Sequence, residues 1–408
     1  MRVLYFHQHF TTPKYNGGTR SYEFAKKLIQ KGHSVTMVCG KNEKYNFHKE
    51  TSKNIIRVNV DGIDVIQINV SYSNKYNILK RAIKFLEFAF HGIKIASQEK
   101  YDILFATSTP LTAGIPGIWM KLFKRKKTKF IFEVRDLWPE LPKALGLKNP
   151  FLLKGMSILE KVSYNKSDAL IGLSPGICDG INKRLKKKIP ITMIPNGCDL
   201  DIFKPNYRVN LKLKGILKSD FVAVYSGAHG EANGLDVILD TAKELIKRNR
   251  LDIKIIFIGD GKFKETLLER SKREFLNNCV FYDPVPKIKL NDIFCRSNVG
   301  LMVLKNLPEF YYGTSPNKFF DYISAGMPVI NNYPGWLSEI IKENNCGEVV
   351  NPNNAVAFAD ALEKLADDKD LCKYYGTNSR KLAEQKFSRN DLVDKFISFL
   401  EKIHNNSF

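Results

Sequence analysis

The chain has 408 residues and a mass of 46.7 kDa, with 44% hydrophobic and 26% charged residues. This length excludes a small disulfide-stapled fold, and this composition argues against wholesale disorder. The net charge of +22 is unevenly placed, because residues 1–200 hold 34 Lys and Arg against 15 Asp and Glu, whereas residues 201–408 hold 30 against 27. The basic first half predicts an anionic partner for that half alone, with compositional bias as the competing explanation.

Seven cysteines, widely spaced and without a CxxC pair, indicate free thiols in a reducing cytosol. The apolar run over residues 1–6 is too short for a signal peptide, and Thr, Pro and Gly residues interrupt the uncharged stretch 103–120. We therefore expect neither export nor a membrane-spanning helix.

Short apolar runs alternate with longer helical patterns, which predicts βα units around parallel sheets. In the first half, strands are expected to begin near Val3, Val35, Ile55, Val65, Ile103, Phe130, Ala169 and Ile191. The series restarts with strands expected near Phe221, Ile255, Val280, Val299, Val329 and Gly347. Turn-forming residues at 194–199 and 203–205 predict a domain junction near residue 200. The predicted architecture is α/β, with two Rossmann-like doubly wound domains (1–200 and 201–385) facing a central cleft, and a C-terminal helix (386–408) that crosses back to the first domain.

Ligands in open α/β folds bind beyond the carboxyl ends of the strands, so the loops that follow strands are the candidates. The first such loop contains His9 and leads through Gly17, Gly18 and Thr19 into a helix near Arg20. Paired glycines allow a ligand to approach closely, and a helix N-terminus attracts an anion. We predict that the last four of these residues bind an acceptor and that His9 is catalytic, the alternative being a loop histidine bonded to backbone. The GxGxxG motif is absent, which argues against NAD or FAD.

A second cluster follows the strand expected near Phe130 and contains Glu133, Arg135, Asp136 and Trp138. Charged groups around a Trp-Pro turn beside a cleft must either pair or bind something. The three charged residues are therefore predicted to be catalytic, and Trp138 is predicted to contact the acceptor. An Arg–Asp ion pair that only holds the loop is the alternative.

Two glycine-containing turns follow the first strands of the second domain. Gly227, His229 and Gly230 come after the strand near Phe221, and Gly259 and Lys262 come after the next strand. Each turn abuts a predicted helix, so together they predict a side of the cleft that binds an anion.

The most specific segment runs from residue 313 to residue 329. Its Gly-Thr-Ser-Pro start predicts a helix N-terminus with a hydroxyl cap and a proline in the first turn, where phosphate binds. Lys318 adds a positive charge, and Asp321 lies on nearly the same helix face, where it could accept hydrogen bonds from a sugar; a surface salt bridge is its alternative role. The residues of this segment that are predicted to bind the anionic ligand are Gly313, Thr314, Ser315, Pro316, Asn317, Lys318 and Asp321.

Four segments make the chain resemble a family 4 glycosyltransferase of the GT-B fold over essentially its whole length: 17–19, 32–35, 194–199 and 315–329. Within that family, residues 132–140 and 315–322 are similar to bacterial enzymes that build O-antigen, capsule or colanic-acid units, including N-acetyl-L-fucosamine transferases. The resemblance implies a nucleotide-sugar donor, expected to be UDP-linked, in the C-terminal domain and an acceptor, expected to be polyprenyl-diphosphate-linked, in the N-terminal domain. The anion-binding residues predicted above for the second domain are then expected to bind the donor. It also implies transfer without a metal or a cofactor.

The sequence departs from the family pattern at three places. The first of two expected glutamates is replaced by Gly313, and only Asp321 remains at the second position. A lysine expected to grip the diphosphate is replaced by Asn233, so Lys318, Lys305 and helix N-termini would have to substitute. The catalytic-loop histidine is replaced at residues 135–136. These departures leave the stereochemical outcome of transfer open.

Two other functions compete with sugar transfer. A nucleotide-sugar epimerase or hydrolase would keep the fold, and acceptor-dependent release of UDP distinguishes it from a transferase. A nucleic-acid-binding module would use the basic surface, but no motif that reads RNA or DNA is present, so no nucleic-acid partner is expected.

Residues 75–95 and the basic run Lys121–Lys129 are predicted to dock the first domain on an anionic membrane, on the inner face of the bacterial cell membrane. Phe85 and Phe88 are expected to face the headgroups beside basic residues, and six Lys and Arg in the run add attraction. The alternative is that both rings pack beneath a loop and the lysines are solvated. One stripe of the helix is expected to pack on the core, namely Leu79, Ala82, Ile83, Leu86, Phe90 and Ile93.

Overall fold

The computed structural model describes residues 1–15, 17–42, 47, 54–73, 76–108, 110–124, 128–205 and 211–407. An eight-stranded sheet forms the N-terminal domain, with the order β3-β4-β2-β1-β5-β6-β7-β8. Neighbouring strands are parallel except for the β3–β4 pair. The strands are β1 (Arg2–Phe6), β2 (Ser34–Asn42), β3 (Ile55–Val60), β4 (Ile63–Tyr72), β5 (Ile103–Thr107), β6 (Lys129–Val134), β7 (Ala169–Gly172) and β8 (Ile191–Met193).

Helices cover both faces of this sheet, which is why its central strands are continuous apolar runs. One face packs against α1, and the opposite face packs against α2, α3, α5 and α6. The helices are α1 (Arg20–Gln30), α2 (Ile78–Gln98), α3 (Ile115–Trp119), α4 (Glu140–Ala144), α5 (Pro150–Lys166) and α6 (Pro175–Arg184). A π-helical turn, Met120–Lys124, continues α3.

A six-stranded, wholly parallel sheet forms the C-terminal domain, with the order β11-β10-β9-β12-β13-β14. The strands are β9 (Phe221–Ser226), β10 (Ile253–Ile258), β11 (Cys279–Tyr282), β12 (Val299–Met302), β13 (Val329–Asn331) and β14 (Gly347–Val349). The helices are α7 (Asp236–Lys247), α8 (Lys264–Arg273), α9 (Lys287–Arg296), α10 (Pro308–Gly313), α11 (Asn317–Ser324), α12 (Trp336–Glu343), α13 (Ala355–Asp367), α14 (Lys369–Lys386) and α15 (Arg389–His404). Every strand start predicted from the sequence falls within two residues of an observed one, and the predicted pair of Rossmann-like domains is confirmed.

The last helix leaves the second domain and packs on the first. Phe396 of α15 contacts Phe24 of α1 and Phe105 of β5, at 4.6 and 5.1 Å between ring centroids. Where the chain crosses, Cys198 donates a backbone hydrogen bond to Phe387. The junction is therefore paired with the returning chain rather than free.

Helix α2 presents its faces in the opposite sense to the prediction. Phe88 is fully buried in the core and Phe85 is half-buried. The prediction that both rings face the headgroups is therefore wrong. Leu79, Leu86 and Phe90 were expected in the core but are 57–71% exposed. The reason is that α2 is apolar on two sides, and its inner side fits against Phe6 and the strands.

The basic run is partly used inside the protein. Lys121 is bonded to Asp168, Lys129 to Asn406, and residues 125–127 lie outside the described residues. No helix in the described part of the chain is long and apolar enough to cross a membrane.

Candidate active site

The two domains touch where the loop after β8 of the first domain meets residues 313–317, the donor segment, of the second. The backbone N–H of Asn196 donates to Ser315 Oγ at 2.9 Å, and its side-chain amide donates to the Ser315 carbonyl at 2.5 Å. A Cβ added to Gly18 would lie 3.0 Å from the side chain of Asn317, so the predicted acceptor loop reaches the start of α11. The cleft therefore lies between these segments, at the carboxyl ends of both sheets.

The donor loop after β9 is packed backbone to backbone against the loop after β10. A Cβ added to Gly259 would lie 1.8 Å from the carbonyl oxygen of Gly227, a separation that non-bonded atoms never reach. Gly227 in turn donates its N–H to Ile258 at 2.9 Å. Only glycine fits at position 259, because any side chain would push the two loops apart.

Lys318 projects from the first turn of α11 to the donor loop. Its ammonium donates to Asn233 Oδ1 at 2.8 Å and to the Tyr225 hydroxyl at 3.1 Å, and it lies 4.5 Å from the centre of the Tyr225 ring. Among the described residues no carboxylate pairs with it, and burial lowers its pKa to about 7. An ammonium held by neutral partners is ready to receive an anion. The ammonium thus contacts Asn233, which occupies the position where the resemblance to family 4 glycosyltransferases implies a lysine.

His229 is buried behind the same loop, among Tyr225, Phe257 and Phe281. Burial, aided by Lys264, lowers its pKa to about 4, so the ring is neutral at pH 7. Neither ring nitrogen has a protein hydrogen-bond partner within the described ranges. Buried polar atoms of this kind are satisfied by water or by a ligand.

Asp321 belongs to a buried cluster of four charges rather than standing alone on a helix face. Lys287 donates to Asp321 at 2.9 Å and to Asp199 at 2.5 Å, and Arg389 also donates to Asp199. Burial raises the pKa of Asp321, while Lys287 opposes the rise. The alternative role for Asp321, a salt bridge on the helix surface, is wrong in its location, because Asp321 does form a salt bridge but the pair is buried. The cluster ties α11 to the junction.

The remaining predicted donor residues divide into two groups. Gly313, Thr314 and Pro316 shape the entry to α11: the Thr314 hydroxyl donates to Phe310 at 3.0 Å, and Pro316 precedes the helix. The predicted hydroxyl cap is absent. Lys305 pairs with Glu231 on the surface, and Lys262 and Gly230 lie on the turns around His229.

Arg20 and Glu133 are bound to one another and do not face the cleft. Arg20 donates to Glu133 at 2.8 and 3.0 Å and to the carbonyls of Ile194 and Pro195, and both side chains are at most 1% exposed. Thr107 adds a hydrogen bond to Glu133 at 2.9 Å. This corrects the expectation that Arg20 contacts an acceptor and that Glu133 is catalytic, because both hold the N-terminal domain to the junction.

His9, Arg135 and Asp136 do lie near one another at the strand ends. Burial, together with the positive charges of Arg135 and Arg81, lowers the pKa of His9 to about 4. Burial raises the pKa of Asp136, while Arg135 lowers it, but the two do not form an ion pair. Trp138 packs partly on the core, and its indole N–H has no partner in the described part of the chain.

Sequence reasoning predicted Thr19 as an acceptor contact but missed three other buried polar side chains in the loop after β1, namely Gln8, Thr11 and Thr12. Gln8, Thr11, Thr12 and Thr19 are at most 3% exposed, and their side-chain polar atoms lack hydrogen-bond partners among the described residues. Thr11 lies 3.3 Å from a Cβ added to Gly17. The polar composition of this loop was visible in the sequence, but its burial was not.

Comparison with known families decides the class of protein. Residues 17–202 match "Glycosyltransferase Family 4", and residues 210–382 match "Glycosyl transferases group 1". The protein is a glycosyltransferase. The two matched regions correspond to the two sheets, with the cleft of the glycosyltransferase between them.

Relatives of this glycosyltransferase are distant. The O-antigen chain mannosyltransferase C of Escherichia coli is 22% identical over 62% of this chain and 65% of its own length. The UDP-Gal:alpha-D-GlcNAc-diphosphoundecaprenol alpha-1,3-galactosyltransferase of Escherichia coli is 24% identical over 68% of this chain and 70% of its own length. The chain thus spans about two thirds of each. Among solved structures, the sucrose-phosphate synthase of Thermosynechococcus elongatus superposes with a TM-score of 0.78 over 100% of both chains at 16% identity, in keeping with the GT-B fold.

Proposed function

We propose that this glycosyltransferase moves a sugar from a UDP-sugar to a polyprenyl-diphosphate-linked saccharide during assembly of bacterial O-antigen or capsule. The observation that carries the donor half is Lys318, a cation that pairs with no carboxylate of the described residues and that is held at the donor loop. The acceptor half is supported by the diphosphoundecaprenol acceptor named for one relative. We expect the donor sugar to be an N-acetylated amino sugar or a deoxy sugar.

In the proposed reaction, an acceptor hydroxyl forms a bond to the anomeric carbon while the bond from that carbon to the UDP oxygen breaks. Negative charge develops on the leaving diphosphate, and Lys318 is placed to stabilise it. The acceptor hydroxyl loses its proton on the opposite wall, where neutral His9 and the carboxylate of Asp136 are the available proton acceptors. Positioning and charge stabilisation account for the chemistry.

Release of UDP tests this proposal. A panel of UDP-sugars is incubated with the enzyme, with and without an undecaprenyl-diphosphate-linked saccharide in detergent, and UDP is measured. We expect release that requires the acceptor. Lys318→Met should lose most of it, whereas Lys342→Met, which removes an exposed lysine of α12, should retain it. Release that is equally fast without acceptor indicates a hydrolase, and conversion of the sugar without release indicates an epimerase.

The acceptor's lipid implies that the enzyme works at a membrane surface, and the structure offers a different docking surface from the predicted one. Exposed apolar side chains of α2, α3, the turn after α3 and α5 lie in one helical layer, because α2 packs against α3 and α3 against α5. We call this layer the α2–α5 face. Its members are Leu79, Ile83, Leu86, Phe90, Trp119, Leu122, Phe123, Phe151, Leu152 and Ile158.

An anionic bilayer is the partner that fits the α2–α5 face. Exposed Lys80, Lys94, Lys154 and Lys161 lie on the same helices, and the N-terminal half of the chain carries nearly all of the basic excess. Apolar side chains bordered by lysines are typical of surfaces that insert at the headgroup level, and each lysine near an acidic leaflet contributes about 1 kcal/mol.

Co-sedimentation with phosphatidylglycerol vesicles tests this docking. The triple variant Ile83→Ser/Leu86→Ser/Phe90→Ser should lose at least tenfold in vesicle binding. The control Leu217→Ser/Ile288→Ser removes equally exposed apolar side chains from the C-terminal domain and should bind as the wild type does. Unchanged binding of the triple variant, or equal binding of wild type to phosphatidylcholine vesicles, would contradict the surface or its charge preference.

A further inference from the structure

An aromatic and cationic cluster surrounds His9 at the entrance of the N-terminal side of the cleft, and the proposed reaction assigns no role to its other members. The ring of Tyr72, the last residue of β4, stacks on Phe85 of α2 at 5.3 Å between centroids. His9 lies 4.5 Å from Tyr72 and 6.4 Å from Phe85. The guanidinium of Arg81, one turn before Phe85, lies 5.6 Å from the centre of the Tyr72 ring.

Two arginines direct positive charge to this cluster. The pKa of His9 is lowered first by burial and then by the charges of Arg135 and Arg81, so His9 lies within the field of both arginines. Neither guanidinium forms an ion pair with a carboxylate in the described part of the chain, and Arg135 is half-buried. A half-buried arginine that forms no ion pair in the described part of the chain, and that lies beside a neutral histidine, can bind an anion.

The position of the cluster indicates which anion. Arg81 and Phe85 lie on the inner side of α2, while Leu79 and Ile83 on the outer side begin the α2–α5 face. Arg135 lies beyond β6, next to Asp136 in the cleft. The cluster therefore connects the proposed membrane surface with the reacting centre. The donor-side ammonium of Lys318 belongs to the other domain and has its own partners.

We propose that Arg81 and Arg135, with the Tyr72–Phe85 ring pair beside them, bind the diphosphate of the prenyl-linked acceptor at a site separate from the UDP site. Arg81 holds the phosphate nearer the lipid, and Arg135 holds the phosphate nearer the sugar. This assignment rests on the proposed lipid-linked acceptor. It does not depend on which sugar is transferred.

Farnesyl diphosphate is the probe, titrated calorimetrically into the full-length enzyme that has first been saturated with UDP. We expect binding that persists under saturating UDP and weakens at least tenfold in Arg81→Gln and in Arg135→Gln. Lys183→Gln, which removes an exposed lysine of α6 in the same domain, should bind as the wild type does. UDP affinity should be the same in all four proteins, which separates this site from the donor site without requiring any sugar transfer.

Further arms distinguish the sources of the diphosphate. Inorganic pyrophosphate should bind at least tenfold more weakly than farnesyl diphosphate, and phosphatidylglycerol vesicles should bind Arg135→Gln as well as wild type. The proposal is overturned if UDP displaces farnesyl diphosphate, if both arginine variants bind it normally, or if pyrophosphate binds equally well. Absence of sugar transfer with intact farnesyl diphosphate binding would instead reject the proposed function alone.

Discussion

Replacing Lys318 with methionine removes the ammonium at the donor loop while keeping an unbranched side chain of similar length. A charge-assisted hydrogen bond to a diphosphate contributes about 1.5–3 kcal/mol, so the variant should bind UDP roughly 10- to 150-fold more weakly. Protonation adds a second signature. Lys318 has a pKa of about 7 in the free enzyme, and a bound diphosphate must raise it. Above pH 7, therefore, UDP binding takes up a proton, and wild-type affinity falls as the pH rises.

The same substitution should stabilise the unliganded protein near pH 7. The folded chain holds the Lys318 proton less tightly than the unfolded chain, in which the lysine pKa is near 10.5. At 1.36 kcal/mol per pKa unit, this difference lowers the free energy of unfolding of the wild type near pH 7 by on the order of a few kcal/mol. Wild-type stability gains this amount as the pH rises from about 7 toward 10.5, because unfolding then requires uptake of a proton. The advantage of Lys318→Met should accordingly shrink across that window.

Calorimetry at pH 8 in two buffers of different ionisation enthalpy measures both affinity and proton uptake. Wild type should take up close to one proton per UDP, and Lys318→Met should take up none. Urea unfolding between pH 7 and 10 measures the stability difference. If the variant binds UDP within twofold of wild type with the same proton uptake, Lys318 does not contact the diphosphate and the donor site has been misplaced.

Three further substitutions probe other parts of the structure. Glu133→Gln leaves Arg20 buried without its carboxylate and should cost about 3 kcal/mol in urea unfolding, and a loss below about 1 kcal/mol would show that the pair does not hold the domain. Gly259→Ala should weaken UDP binding at least tenfold, because its added Cβ separates the donor loops. Gly155→Ala in α5, whose added Cβ meets nothing within 4 Å, should raise the free energy of unfolding by about 0.5–1 kcal/mol. An equal effect of the two variants on UDP affinity and on the free energy of unfolding would contradict the packing argument. Asp321→Asn should weaken UDP-sugar binding less than Lys318→Met, because Lys287 already holds one carboxylate oxygen, and calorimetry ranks the two.

The strands were predictable because parallel strands buried on both faces are nearly continuous apolar runs. The orientation of α2 was not. Helical periodicity identifies an apolar stripe, but α2 has two, and only the packing of Gly92 against Phe6 and Pro116 decides which one is buried. The side with more large aliphatic residues was the plausible core, and it is the exposed side. An apolar stripe therefore predicts a contact without saying whether the partner is the protein or something outside it.

The site was predictable where its residues are neighbours in sequence and not where they are distant. Lys318 followed from the local pattern around α11. The pairing of Arg20 with Glu133 joins residues 113 positions apart, so each was visible only as an isolated charge near a strand end. A charge in a strand as apolar as β6 requires a partner, and that requirement was the available signal. The identity of the partner depends on how β1, β5 and β6 lie side by side.

The junction explains why Arg20 and Glu133, which were predicted to contact the acceptor and to be catalytic, are buried and paired with each other. Ile194 and Pro195 accept hydrogen bonds from Arg20, Asn196 bonds to Ser315, and Gly197 accepts one from Arg389. Asp199 then binds Lys287, which also holds Asp321 of α11. Residues 194–199 thus connect α1, the donor segment before α11, and the returning helix α15. Because α11 carries Lys318, these bonds connect both domains to the helix of the residue that we expect to hold the leaving diphosphate. The buried charges that the sequence suggested as chemistry therefore serve to couple the two walls of the cleft.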